Sequence, residues 1–363
     1  MRGPTAAMRG STSSPGGARI LSFAPLLLSL SCSLAPGWDR EVVDSEGQVG
    51  FYNDIAIDDA DCAHVSYLDR SNESLKYAND CSGAWVASTL DEGGNLGQDT
   101  SICVDPDQNV HISYSDRINE ALKYVTDVSG AWEAVMLDSG DLGNDTSIAA
   151  DSGGGIHISY YDRGNGDLKY ASDAGGAWQV ATVDEAGTVG LGTAIAIDSV
   201  DEVTISYLDD THASLKVAHH DGATWITETI AEDAGGTATS LAFDRDDNLH
   251  VSYYSLSDQD LRVASRIDGI WSTELVDREG DVGDWSAITL DATGSVHVSY
   301  FDRSHEALKY ATDEDGGWEC LTVDASSGVG EWNAIALDCS GKPRISYLNR
   351  PRSAVYVASY AGE

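Results

Sequence analysis

Five histidines, His64, His111, His157, His250 and His297, and four Asp-Arg pairs, Asp69-Arg70, Asp116-Arg117, Asp162-Arg163 and Asp302-Arg303, recur along the chain at nearly constant spacing. A histidine column invites a metal site, and clustered arginines with tyrosine and carboxylate partners invite cleavage of an acidic sugar. Recurrence argues against both. Zinc needs all its ligands within ~2.1 Å of one point, and histidines carried by separate repeats are held apart. An aspartate at a strand-to-strand turn bonds the turn backbone, while the adjacent arginine lays its stem along the surface. A side chain present in every repeat is most simply a packing or turn device, and the same holds for the serine of the seven Ser-Tyr pairs that begin at Ser66 and end at Ser346. No metal, cofactor or catalytic residue is assigned, because no distinctive glutamate stands beside the arginines and tyrosines.

The informative residues break the repetition. One position per repeat reads Tyr52, Asp99, Asp145, Gly192, Ala238, Trp285 and Trp332, and its three aromatics fall in consecutive units once the chain closes on itself. Phe51 adjoins them, and Arg70, Arg303 and Arg350 occupy the accompanying turns. Exposed aromatics beside arginine suit a sugar ring or the apolar anchor of a protein partner. The plainer expectation is that these rings only fill wider loops. The ligand-binding candidates are therefore Tyr52, Trp285, Trp332, Arg70, Arg303 and Arg350, and Asp162-Arg163 is taken as an ordinary copy.

These residues need a scaffold that repeats. Trp38, Trp85, Trp132, Trp178, Trp225, Trp271 and Trp318 are spaced by 46 or 47 residues, and every interval carries four short apolar segments bounded by Gly, Asp, Asn and Ser. Each segment reads as a strand, and a period of this length marks a repeat architecture. Four antiparallel strands in each of seven repeats predict an all-β, seven-bladed β-propeller. The chain ends at a third strand, Ala354 to Ala358, and begins with a spare fourth, Trp38 to Val43, so the N-terminal strand is expected to complete the last blade. The inner strands are placed at Ser101 to Asp105 and its equivalents, with the aromatic column just before them.

The turn ahead of each tryptophan, as in Ser172-Asp173-Ala174-Gly175-Gly176-Ala177-Trp178, resembles the Asp-box hairpin of sialidase-like exported bacterial propellers. The resemblance runs from Trp38 to the C-terminus, with His220, Arg266 and Tyr360 in place of the aspartate in three copies. It implies a folding element and carries no chemistry across.

Arg2, Arg9 and Arg19 precede an apolar run from Ile20 to Leu30 and small residues around Cys32, which reads as a signal peptide over residues 1–31, or to 35, ahead of a propeller over 36–363. The run is too short and too Pro-broken to span a membrane, and a lipid anchor at Cys32 is the variant reading. The expected location is secreted or cell-envelope, where Cys62 and Cys81 can pair. Cys103 falls among small inner-strand residues and is read as a buried thiol, and a Cys320–Cys339 bridge is disfavoured. Asp and Glu number 60 against 21 Lys and Arg, a net charge of -39 that excludes nucleic acid and anionic membrane as partners. The sequence thus points to a monomeric, noncatalytic binding module for a glycan or a protein surface. The alternative is a sialidase-like glycoside hydrolase or polysaccharide lyase using the same face.

Overall fold

The computed structural model describes residues 37–362, and the signal-peptide and Cys32 readings lie outside them. Seven four-stranded antiparallel sheets follow one another, the first comprising Val49–Ile57, Ala63–Asp69, Ser74–Asn79 and Val86–Asp91 from inside to outside. The seventh takes Ala334–Leu337, Pro343–Asn349 and Ala354–Tyr360 from the end of the chain and Trp38–Asp44 from its beginning. Trp38 pairs with Tyr360 and Val42 with Tyr356, so the ring closes by hydrogen bonding and leaves no open junction. Among the described residues the helical content is a single 3-10 turn, Arg350–Arg352, and no helix is long and apolar enough to cross a membrane.

The inner strands begin earlier than the sequence suggests. In the second blade the strand is Leu96–Val104, and its register slips between Leu96 and Gln98 and again between Gln98 and Ser101. The aromatic column therefore lies in bulges within the inner strands of the first six blades and just ahead of the short seventh one. An extra residue in a bulge adopts a conformation that leaves the ladder, which the alternation of apolar residues does not reveal.

The repeated polar residues join one blade to the next. The Tyr67 hydroxyl donates to Asp44 at 2.7 Å, and the Lys76 ammonium donates to the same carboxylate. Asp44 ends the outer strand of the seventh blade, whereas Tyr67 and Lys76 belong to the first. Equivalent links place Tyr114 on Asp91, Tyr160 on Asp138, Tyr207 on Asp184 and Tyr300 on Asp277 at 2.6 to 2.8 Å, each with a lysine. Tyr347 reaches Asp324 at 3.0 Å, and Arg40 replaces the lysine at 2.6 Å. Nearer the axis, Ser66, Ser113, Ser159, Ser206 and Ser252 each share a hydrogen bond of 2.7 to 3.0 Å with a hydroxyl on the next inner strand. The serine column is thus a set of inter-blade ties.

The other columns are structural as well. His64, His111, His157 and His297 each bond a tyrosine hydroxyl of their own sheet through Nδ1 at 2.5 to 2.6 Å. Asp80, Asp127, Asp173 and Asp313, the aspartates of the Asp-box-like turns, each accept the first backbone N–H of their own blade's second strand. Asp69, Asp116 and Asp162 accept turn N–H groups and the amides of Asn72, Asn119 and Asn165. Each tryptophan ring contacts the preceding blade, as where Trp132 meets Tyr77 with centroids 4.9 Å apart. Cys62 and Cys81 form a disulfide, while Cys103, Cys320 and Cys339 are free. Burial pushes the Cys103 thiol well above its ordinary value.

Burial alone would raise Asp44, Asp138, Asp184, Asp277 and Asp324, yet their lysine, arginine, tyrosine and backbone donors hold all five below the ordinary value of 3.8. A folded value below the unfolded one contributes stability above pH about 3.9 that is lost as pH falls through the lower folded value. Acid unfolding is therefore expected to be steep below pH about 4. At neutral pH, Tyr300→Phe is expected to cost about 1.5–3 kcal/mol, and Asp277→Ala, which strands Lys309, about 3–5 kcal/mol. Urea unfolding of both variants checks the order, and equal losses would contradict the assignment.

Candidate functional site

Where the inner strands begin, their bulges surround an axial cavity of about 580 Å³. Tyr52, Asp99, Asp145, Gly192, Ala238, Trp285 and Trp332 all line it. Six of these adopt left-handed backbone: Tyr52 (φ 52°), Asp99 (48°), Asp145 (49°), Gly192 (55°), Trp285 (47°) and Trp332 (46°). Only Gly192 does so without steric cost; a bulky side chain there costs on the order of 1–3 kcal/mol. The arrangement is fixed by the residue that follows. Thr146 donates to the Asp99 carbonyl at 2.9 Å, Thr239 to that of Gly192 at 2.8 Å, Asn333 to that of Trp285 at 2.8 Å, and Asn53 to that of Trp332 at 2.5 Å, so the third, fifth, seventh and first blades each clamp the bulge of the one before.

One wall of the cavity is aromatic. The Trp332 ring lies between Tyr52 and Trp285, with centroids 5.0 and 5.5 Å away, and Trp285 meets Phe301 edge-on at 5.7 Å. Phe51 does not join this wall. It is buried with Leu68 and Leu348 beneath Tyr52 and Trp332.

The three arginines inferred for the site lie outside the cavity lining, and each grips the residue that precedes an aromatic. Arg70 stacks on Phe51 with its guanidinium carbon 5.2 Å from the ring centre. Arg303 pairs with buried Asp284, and Arg350 pairs with Glu331 while lying 5.6 Å over Trp332. Asp284 also accepts from the Thr237 N–H and hydroxyl at 2.9 and 2.7 Å, which ties the Trp285 bulge to the fifth blade. Neighbouring acids and rings turned these arginines away from the axis, a choice that sequence adjacency does not encode.

The arginines that do line the cavity are Arg117 and Arg163, so the Asp162-Arg163 turn is not an ordinary copy. Arg163 is held by Asp141 through contacts of 2.6 to 3.0 Å. Arg117 Nη2 stands 3.6 Å from Asp99 Oδ2, and its buried Nε has no hydrogen-bond partner. With Tyr161 these groups form a polar wall on the second and third blades, facing the aromatic one.

Two carboxylates in that wall are abnormal. Burial raises Asp99 to about 7, with the charge of Asp145 adding to the effect and Arg117 opposing it. Burial likewise raises Asp145 to about 6, against the Gly192 N–H that its carboxylate accepts at 3.3 Å. Both carboxylates are thus held toward their protonated forms relative to a solvated aspartate. Asp99 and Asp145 stand in the same sequence column as the aromatics. The legible signal was that its polar members occupy adjacent blades just as its aromatic members do.

The fold and this concave site define a closed seven-bladed propeller with an axial cavity. No protein-family pattern matches the sequence, and no curated protein is detectably similar to it. Solved structures share the fold at low identity. A hydrazine synthase from Kuenenia stuttgartiensis is 11% identical with a TM-score of 0.62, covering 85% of this chain and 95% of its own. An Aleuria aurantia lectin in complex with Fucα1-6GlcNAc is 14% identical with a TM-score of 0.53, covering 76% and 96%. A polysaccharide lyase, Uly1, is 10% identical with a TM-score of 0.52, covering 88% and 91%.

Both raised carboxylates favour their protonated forms in the folded protein. The stability they contribute is full below pH about 3.9 and is lost as pH rises through their folded values. The thermal midpoint of Asp99→Asn is accordingly expected to fall less than that of the wild type between pH 5 and 8. Parallel midpoint curves across that interval would contradict the pairing of Asp99 with Asp145.

Proposed function

We propose that the protein is an exported binding module that takes a glycan into its axial cavity. The observation that carries this reading is the retention of tryptophan at two left-handed positions, Trp285 and Trp332, where glycine would be relaxed. Strain of this kind persists where the side chain is needed. A pyranose ring offers an apolar C–H face and an equatorial belt of hydroxyls. The aromatic wall suits the face, and Asp99, Asp145, Arg117 and Tyr161 suit the belt. The signal-peptide pattern and the Cys62–Cys81 bridge support export.

A second reading has its own support. Adjacent carboxylates raised to about 7 and 6 beside Tyr52 and Tyr161 offer acid and base groups for a glycoside hydrolase or polysaccharide lyase. In that case Asp99 is the proton donor.

A glycan array with the mature protein, repeated with Trp285→Gly, tests the binding reading. Signal should disappear in the variant. Its unfolding free energy should stay within about 1 kcal/mol of the wild type, because the lost ring contacts and the relieved backbone strain oppose each other. No glycan signal, or one indifferent to the substitution, sinks the lectin reading. Turnover of a fluorogenic glycoside panel that vanishes in Asp99→Asn would favour the enzyme instead.

A further inference from the structure

At the opposite end of the strands from the axial cavity, one histidine differs from its copies. His297 is fully buried, and its Nε2 has no hydrogen-bond partner, as is also true of Nε2 in His111 and His250; what sets it apart is a second carboxylate. That atom faces Asp291 Oδ2 and Glu314 Oε1 at 3.7 Å each. The three atoms lie within 4.8 Å of one another. In the first and third blades the same Nε2 simply meets one aspartate, Asp58 at 3.3 Å and Asp151 at 3.1 Å.

Two features meet in the sixth blade, and only the second is specific to it, because the first and third blades also lack the asparagine, with Cys62 and Gly155 in its place. In the second and fifth blades an asparagine amide, from Asn109 or Asn248, occupies the aspartate Oδ2 at 2.8 Å. Ser295 stands there in the sixth, and Asp291 spends only Oδ1, on Thr293 and Ser295. The second change is Glu314, which takes the place of Val128 in the second blade and Ala174 in the third. A third donor thus arrives where the second has been freed.

We propose that Asp291, His297 and Glu314 bind a divalent transition-metal ion, with zinc the best match. The donor set is one imidazole and two carboxylates, whereas calcium takes six to eight oxygens. Two ligands ~2.1 Å from a tetrahedral ion sit ~3.4 Å apart, so both 3.7 Å separations from Nε2 are within about 0.3 Å of that spacing, and the exposed Glu314 side chain is free to complete the approach. The Tyr310 hydroxyl bonds Nδ1 at 2.5 Å and orients the ring. A cavity of about 350 Å³ bordered by Asp291, Glu314 and Lys342 leaves the fourth position open. The objection that histidines stand on separate blades does not apply, because all three ligands come from one blade.

Zinc chloride titrated calorimetrically into chelator-stripped mature protein tests the site, in 150 mM salt so that diffuse attraction to the acidic surface is screened. One saturable equivalent is expected, weakened ~10-fold or more in Glu314→Gln, whose exposed position leaves folding intact. His297→Gln should abolish it, and if that variant does not fold, Glu314→Gln decides alone. Absence of saturable binding to the wild type, or equal affinity in Glu314→Gln, overturns the proposal.

Discussion

A carboxylate taken out of water regains its lost hydration only where donors converge on it, and here the donors come from the next blade. Asp277 ends an outer strand of the fifth blade, while the Tyr300 hydroxyl and Lys309 ammonium that satisfy it belong to the sixth. Neither blade can bury its half alone, because a lone buried charge is far costlier than a paired one. The same cluster at six junctions therefore links sheet spacing and rotation to a fixed hydrogen-bond geometry. The junction between the fourth and fifth blades lacks it. Arg262 pairs with Asp258 there, which leaves that junction to the apolar packing that every junction shares, here among Leu208, Leu215, Val217, Leu241 and Val251.

A second layer of ties nearer the axis converts this ring into a site. At Thr146, Thr239, Asn333 and Asn53 the hydroxyl or amide that follows a bulge caps the carbonyl of the preceding one, as Asn333 does for Trp285. Left-handed side chains are thereby gathered around one cavity and held at the same height. Seven equivalent positions with different residues then give a rim whose chemistry varies with angle, aromatic over three consecutive blades and ionisable over two others. Arg70, Arg303 and Arg350 act from behind, by fixing the residues that carry the rings.

Much of the fold was legible because repetition reports it directly. The tryptophan period gave the number of blades, and the spare strand read from Trp38 to Val43 gave the closure. The serine and histidine columns read as scaffold, and their bonds within and between sheets agree. The left-handed bulges were not legible, since a bulge preserves the alternating pattern on both sides while inserting one residue. Nor were the roles of the arginines. Arg117 and Arg303 occupy the same motif, and only their neighbours send one toward the axis and the other toward Asp284.

The sequence by itself determined the ring, its closure and the column whose members face the axis, because those follow from local periodicity repeated seven times. Tertiary structure alone decided that Asp99 and Asp145 share a buried polar wall, that Arg117 and Arg163 join them, and that Trp285 and Trp332 stand opposite. These contacts depend on the curvature of the closed ring and on the direction each bulge turns. No stretch of chain as short as one repeat specifies either.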